Sequence, residues 1–283
     1  MSAGIFALVI GAALLHAVWN ALVKRAEDPF LGMTAVCLWG GLFAAAVMAL
    51  LPFPPPPTWP YLAASAALHI IYFWLVGLIY RQADLSTAYP VMRGTAPLIT
   101  LALTSLALRE VPAAGALLGV LLLAGGIVAM GLSGGRKALA ASLPLALSVA
   151  LSIALYTIVD AEGARLAGGG VAAAFAFNGV SDAATAVGLV PVAVAWRGTA
   201  FFANVAKSWR RGLAGGAAAY FGYAIIVYAM TEAPIALVAA LRETSVLFAT
   251  LIGVFAFGEK LGRLKGAAVA MIVVGGVALR LGS

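Results

Sequence analysis

Along the chain, apolar runs of near-constant length alternate with short breaks marked by charge, proline or glycine. A helix crossing the hydrocarbon layer needs about 20 mostly apolar residues. Ten stretches meet that length: 4–22, 30–51, 60–80, 85–108, 112–132, 139–159, 170–195, 211–230, 233–257 and 262–281. The pattern predicts an all-α polytopic membrane protein. The first run has no basic leader and carries His16, Trp19 and Asn20 before ending at Lys24-Arg25. It therefore reads as a retained helix rather than a cleaved signal.

Composition agrees with the pattern. Charged residues make up 10% of the chain, against about 25% in soluble domains, and hydrophobic residues 64%. The mean hydropathy is +1.08. The net charge of +7 would suggest nucleic acid in a soluble protein. Here the basic residues lie mostly in connections, where the positive-inside rule and anionic headgroups account for them, so no nucleic-acid partner is expected. One cysteine, Cys37, in the second run, excludes an intramolecular disulfide and a cysteine-based metal site. Nucleotide-binding, zinc-protease and Cys/His motifs are absent, so no cofactor and no metal are expected.

The chain also repeats itself. A shift of 149 lays Arg93 on Arg242, Thr95 on Thr244, Leu98 on Leu247, Ala107 on Ala256 and Glu110 on Glu259. A shift of 148 lays Tyr72-Phe73 on Tyr220-Phe221 and Tyr80 on Tyr228, with Asp84 near Glu232. Matching charges carry weight where charges are scarce. The sequence thus predicts two five-helix units, 1–136 and 137–283, joined near Ser133-Gly134-Gly135-Arg136-Lys137. Five is odd, so the second unit would enter the membrane inverted, as in carriers that bind solute at the midplane between repeats. The run Pro52-Phe53-Pro54-Pro55-Pro56-Pro57 reads as a stiff spacer.

Charge bias predicts an orientation. The odd-numbered connections hold twelve Lys and Arg residues, while the even-numbered connections and the termini hold Arg109, Arg165 and Arg280. That bias places both termini outside the cytoplasm.

Polar residues within the apolar runs are the candidate site, since a charge at a helix centre costs about 2.5–3.5 kcal/mol even on the lenient insertion scale. Arg93 sits between Pro90 and Pro97, and Arg242 lies equally deep beside Glu243. Two readings stand: a purely architectural ion pair, or two guanidinium groups facing a shared cavity and suited to a carboxylate or phosphate. His16, Trp19, Asn20 and Lys24 share one face of the first helix; Lys24 also suits a snorkelling role. His69, Tyr72, Phe73, Tyr89, Tyr156, Tyr220 and Tyr223 are further candidate lining residues. Asp160 reads as either a site residue or an interfacial charge. Asn178 and Asp182, one turn apart, form a buried polar pair. Proton-coupling candidates are His16, His69 and Asp182. Glu110 and Glu259 end their helices and suit structural roles.

Gly131-Leu132-Ser133-Gly134-Gly135 fits G-x-S-x-G, but a nucleophile elbow needs a strand before the turn and this segment follows an apolar helix. A hydrolase built on Ser133 is a minor alternative, and no catalytic residues are assigned. Gly115/Gly119 and Gly266/Ala270 offer two small-residue faces suited to close packing, including packing in a homodimer.

His16-Ala17-Val18-Trp19-Asn20 with Lys24, the Pro90–Arg93–Pro97 helix, Tyr156-Thr157-Ile158-Val159-Asp160 with Gly163 and Arg165, and Gly258-Glu259 together resemble the EamA branch of the drug/metabolite transporter superfamily. The first half departs from that pattern with Arg109-Glu110 in place of Gly-Glu. The resemblance implies a bacterial inner-membrane permease, not an enzyme. Its substrates would be amino acids or related anionic or zwitterionic metabolites, held in a cavity lined by spans 1, 3, 4, 6, 8 and 9. It also implies cytoplasmic termini, opposite to the charge bias. A flippase for lipid-linked substrates is the rival within transport.

Overall fold

The structure is a computed structural model and describes residues 1–24, 26, 28–82, 85–131, 136–258 and 262–283. Its regular elements are all helical. In chain order they are α1 (Ala3–Lys24), α2 (Pro29–Met48), a 3₁₀ turn (Pro56–Thr58), α3 (Trp59–Gln82), α4 (Leu85–Leu103), a π turn (Thr104–Leu108), α5 (Ala114–Gly131), α6 (Arg136–Leu166), α7 (Gly170–Arg197), α8 (Ala200–Lys207), α9 (Trp209–Glu232), α10 (Ile235–Arg242), α11 (Ser245–Phe257) and α12 (Arg263–Leu281). Ten spans among the described residues are long and apolar enough to cross a membrane, the α10–α11 pair counting as one.

Local chemistry explains several boundaries. Asp28 caps α2 by accepting from the N–H groups of Phe30 and Leu31, and Pro29 needs no partner at the first helical position. α4 continues through Pro90 and Pro97. Arg109 after the π turn and Gly258 after α11 both adopt the left-handed conformation, with φ of 58° and 68°. Those positions are matched by the 149-residue shift, so an arginine bears a geometry that glycine adopts freely.

Three expectations need correcting. The ninth span is broken at Glu243-Thr244 instead of running unbroken over 233–257. The sixth extends to Leu166 rather than ending at 159, with Asp160 inside the bundle accepting from the Tyr223 hydroxyl. A further short helix, α8, lies in the seventh connection. Arg25, Asp84, Leu132, Ser133, Gly134, Gly135, Glu259 and Lys260 lie outside the described residues, and with them most of the expected join, the G-x-S-x-G serine and the second helix-ending glutamate.

Packing is set by close crossings. α5 lies along α12, and a Cβ at Gly119 or Gly275 would strike the backbone of Leu279 or Leu123. Within the Gly115/Gly119 face, Gly119 is buried against α12, while Gly115 meets Gly282 and stays exposed. Gly266 has open space beside it, and Ala270 is exposed. α1 packs on α9, α3 on α6, α2 on both α7 and α9, and α4 on α5 and α6. Leucines such as Leu118, Leu121, Leu147 and Leu151 point outward, the surface of a protein whose solvent is lipid.

The interior holds two main apolar clusters. One joins Val9, Phe177, Ile226, Met230 and Ile235 towards the chain termini. The other joins Phe30, Val36, Ile79, Met92 and Ile153. Tyr223 packs against both.

Candidate functional site

Side chains from seven helices ring a cavity of about 100 Å³. His16 and Trp19 come from α1; Met33, Val36, Cys37 and Gly40 from α2; His69, Tyr72 and Phe73 from α3. Tyr156 of α6, Asp182 of α7, Ala219, Tyr220 and Tyr223 of α9, and Arg242 of α10 complete it. A larger cavity of about 420 Å³ lies between the end of α1, the start of α2 and the α8–α9 junction. Lys207, Arg210 and Arg211 line this second space, and Val36 borders both. The central cavity is smaller than the roughly 300–1,000 Å³ of typical small-molecule pockets.

Aromatic rings form most of the wall. His69 stacks on Tyr156 with centroids 4.2 Å apart and planes at 26°, and Tyr223 meets His69 edge-on at 5.7 Å. Tyr72 meets Tyr156 edge-on. Charge is placed at separate points on this wall. The Arg242 guanidinium lies 5.9 Å over the Tyr223 ring. Asp182 accepts from the Asn178 amide at 3.2 Å, as expected for the polar pair in α7.

The two arginines play different parts. Arg93 is 2% exposed, places Nε 2.7 Å from Glu243 and donates to Ser245 at 3.1 Å. It is not in the cavity wall. Arg242 is, and it lies 3.5 Å from the other Glu243 oxygen. The expected shared cavity between two guanidinium groups is thus half realised: Glu243 ties up Arg93 and leaves Arg242 facing the space. The break at Glu243-Thr244 makes this possible by carrying Glu243 between the two cations.

Of the other candidates, Asn20 donates to the His16 carbonyl, while Lys24 is exposed at the end of α1; neither lines the space. Nor do Tyr89 and Glu243, and α4 contributes nothing to the described wall. Helices α2 and α7 take its place. The Trp19 indole donates to His16 Nδ1 at 3.3 Å. An indole N–H only donates, so His16 holds a lone pair there and is neutral. Asp160 carries no interfacial charge: it is 1% exposed and accepts from the Tyr223 hydroxyl at 2.6 Å. Sequence reasoning missed Ser65, whose hydroxyl is hydrogen-bonded to Ser181 across α3 and α7. A lone serine in an apolar run carries no signal of its own.

Away from the cavity, Glu110 has the structural role expected. It pairs with Arg165 at 2.7 Å and accepts from the Ile235 N–H at the start of α10. Arg165 also binds Glu162 and the Met230 carbonyl. Among the described residues, no group of three or more His, Cys, Asp or Glu side chains could hold a metal.

No family model matches the chain, and no curated protein matches it. Solved structures do: one crystal structure superposes with a TM-score of 0.76 over 99% of this chain and 98% of that one, at 17% identity. That likeness establishes a shared fold and nothing about activity.

Proposed function

We propose that the protein is a secondary transporter of the EamA type. It moves a small anionic or zwitterionic metabolite, such as an amino acid, across a bacterial inner membrane by alternating access. The observation that carries the reading is Arg242 and Asp182 facing one buried, aromatic-walled cavity beside a basic vestibule. A guanidinium offers paired donors to a carboxylate, and the carboxylate of Asp182 complements an ammonium group. Two inverted five-helix units are supported by the matched charges, by the matched left-handed positions and by helix pairing: α1 on α9 answers α3 on α6. No catalytic residue or cofactor enters this reading. Because the cavity is ringed by seven helices, it favours a soluble metabolite over a lipid-linked one. The Gly266/Ala270 face is the one left open for packing in a homodimer.

The test is uptake and efflux in proteoliposomes against amino acids, organic acids and phosphorylated compounds. At least one should move, and Arg242→Gln should stop it in a protein that still purifies folded. Cys37 gives a second readout, as the single cysteine of the chain and part of the wall. A transported solute should slow its modification by a methanethiosulfonate reagent. Full transport by Arg242→Gln, or unchanged Cys37 labelling, counts against the site.

A further inference from the structure

His69 Nδ1 lies 3.0 Å from the Ser65 carbonyl oxygen. A carbonyl can only accept, so Nδ1 carries a hydrogen. The opposite nitrogen, Nε2, lies 3.9 Å from Asp160 Oδ2. If His69 were neutral, Nε2 would present a lone pair to a buried carboxylate. One proton on Nε2 turns that opposition into an imidazolium–carboxylate pair.

The surroundings call for the same proton. Glu243 is fully buried but has two arginines beside it. Asp160 is as deeply buried, yet its Oδ1 has no hydrogen-bond partner and no Lys or Arg forms an ion pair with it among the described residues. Facing the pair are Tyr156, Asp182, Tyr223 and Arg242, with His16 and Cys37 lining the same cavity. Without that proton, Asp160 is a buried carboxylate whose neighbouring ring nitrogen offers it no hydrogen. Net charge is costly in this medium. An imidazolium also suits the Tyr156 face against which His69 stacks.

We propose that His69 and Asp160 form a proton-binding site, in which one proton is held as an imidazolium–carboxylate pair and travels with the solute. Coupling rests on the transport reading above and follows from Arg242. The acid group of a solute bound there cancels the positive charge nearest the pair, which favours keeping the proton. The protonated site therefore binds the acid group most tightly, and once the solute has departed the proton is free to leave from Nε2 to water. His69 lines the cavity and so reaches that water; Asp160, behind it, is a positioning residue.

The chain has two histidines, so ¹⁵N-histidine NMR of the protein in lipid nanodiscs gives two pairs of ring-nitrogen signals, which His16→Gln assigns. At neutral pH, His69 should be an imidazolium in the native chain and in Asp182→Asn, and neutral in Asp160→Asn. A neutral His69 in the native chain, or an imidazolium surviving Asp160→Asn, overturns the site without any solute being needed. The coupling arm uses pyranine-filled proteoliposomes with L-phenylalanine and succinate as probes. Inward solute flow should acidify the lumen, and Asp160→Asn should abolish that signal while solute exchange continues. Solute flow without proton flow in the native protein overturns coupling. If neither probe moves while His69 is an imidazolium, the proton site stands and it is the transport reading for these solutes that fails.

Discussion

α4 and the α10–α11 pair carry arginines at positions matched by one shift of the sequence, yet they use them differently. α4 is a continuous helix, and its Arg93 is locked against Glu243 and Ser245. The ninth span breaks directly after Arg242, and that arginine faces the cavity. The acid that decides between them has no counterpart in the first half, where Gly94 occupies the place of Glu243. Two arginines matched by one shift of the sequence can therefore serve differently, when a single neighbour ties one into the architecture and leaves the other at the cavity.

Exchanging the two arginines for glutamine would test this division most severely. Arg93→Gln strips Glu243 of its closest cation, and breaking a buried pair costs about 3–5 kcal/mol. A large fall in melting temperature in detergent, or loss of folded protein, is expected. Arg242→Gln leaves Glu243 its Arg93 partner, so melting should change far less while transport is lost. Equal effects of the two variants on both readouts would erase the distinction. Arg242→Lys sharpens it: a lysine keeps the charge but loses the planar fork, so solute affinity should fall while the melting temperature holds.

Ser245→Ala removes the hydroxyl that accepts from Arg93. Hydrogen bonds to charged groups contribute about 1.5–3 kcal/mol. Reduced thermal stability is expected with solute affinity unchanged, since Ser245 is absent from the wall. A changed affinity at constant stability would place Arg93 in the binding site after all.

The smallest effect concerns the matched ends of the two segments. Arg109→Gly should raise stability by up to about 1 kcal/mol, because left-handed geometry strains an L-residue and the added chain entropy offsets part of the gain. Gly258→Ala should lower it by about 1 kcal/mol. Melting curves of the two variants should move in opposite directions.

Much of the fold was legible because lipid leaves the backbone few options. Continuous apolar runs reveal spans whatever they pack against, and all ten were recovered. The break in the ninth span was not, since Arg242-Glu243-Thr244 contains no proline or glycine to mark it. The cavity was legible in part. His16, Trp19, His69, Tyr72, Tyr156, Tyr220, Tyr223, Asp182 and Arg242 all reach it, because polar and aromatic groups in the middle of a span need a reason to be there. Cys37, Met33 and Gly40 gave no such sign, as each is ordinary in an apolar helix. Asp160 reads two ways in the sequence, because Glu162 and Arg165 follow it closely and together look like the end of a span.

By itself the sequence determined the solvent, the number of spans and the scarce charges that had to find partners, since these depend on composition and run length alone. The tertiary structure decided which charges met. Glu243 reached Arg93, Asp160 reached His69 and Tyr223, and Arg242 was left facing the cavity. Those pairings join helices far apart in the chain, and only the packing of the bundle sets the distances on which a buried ion pair depends.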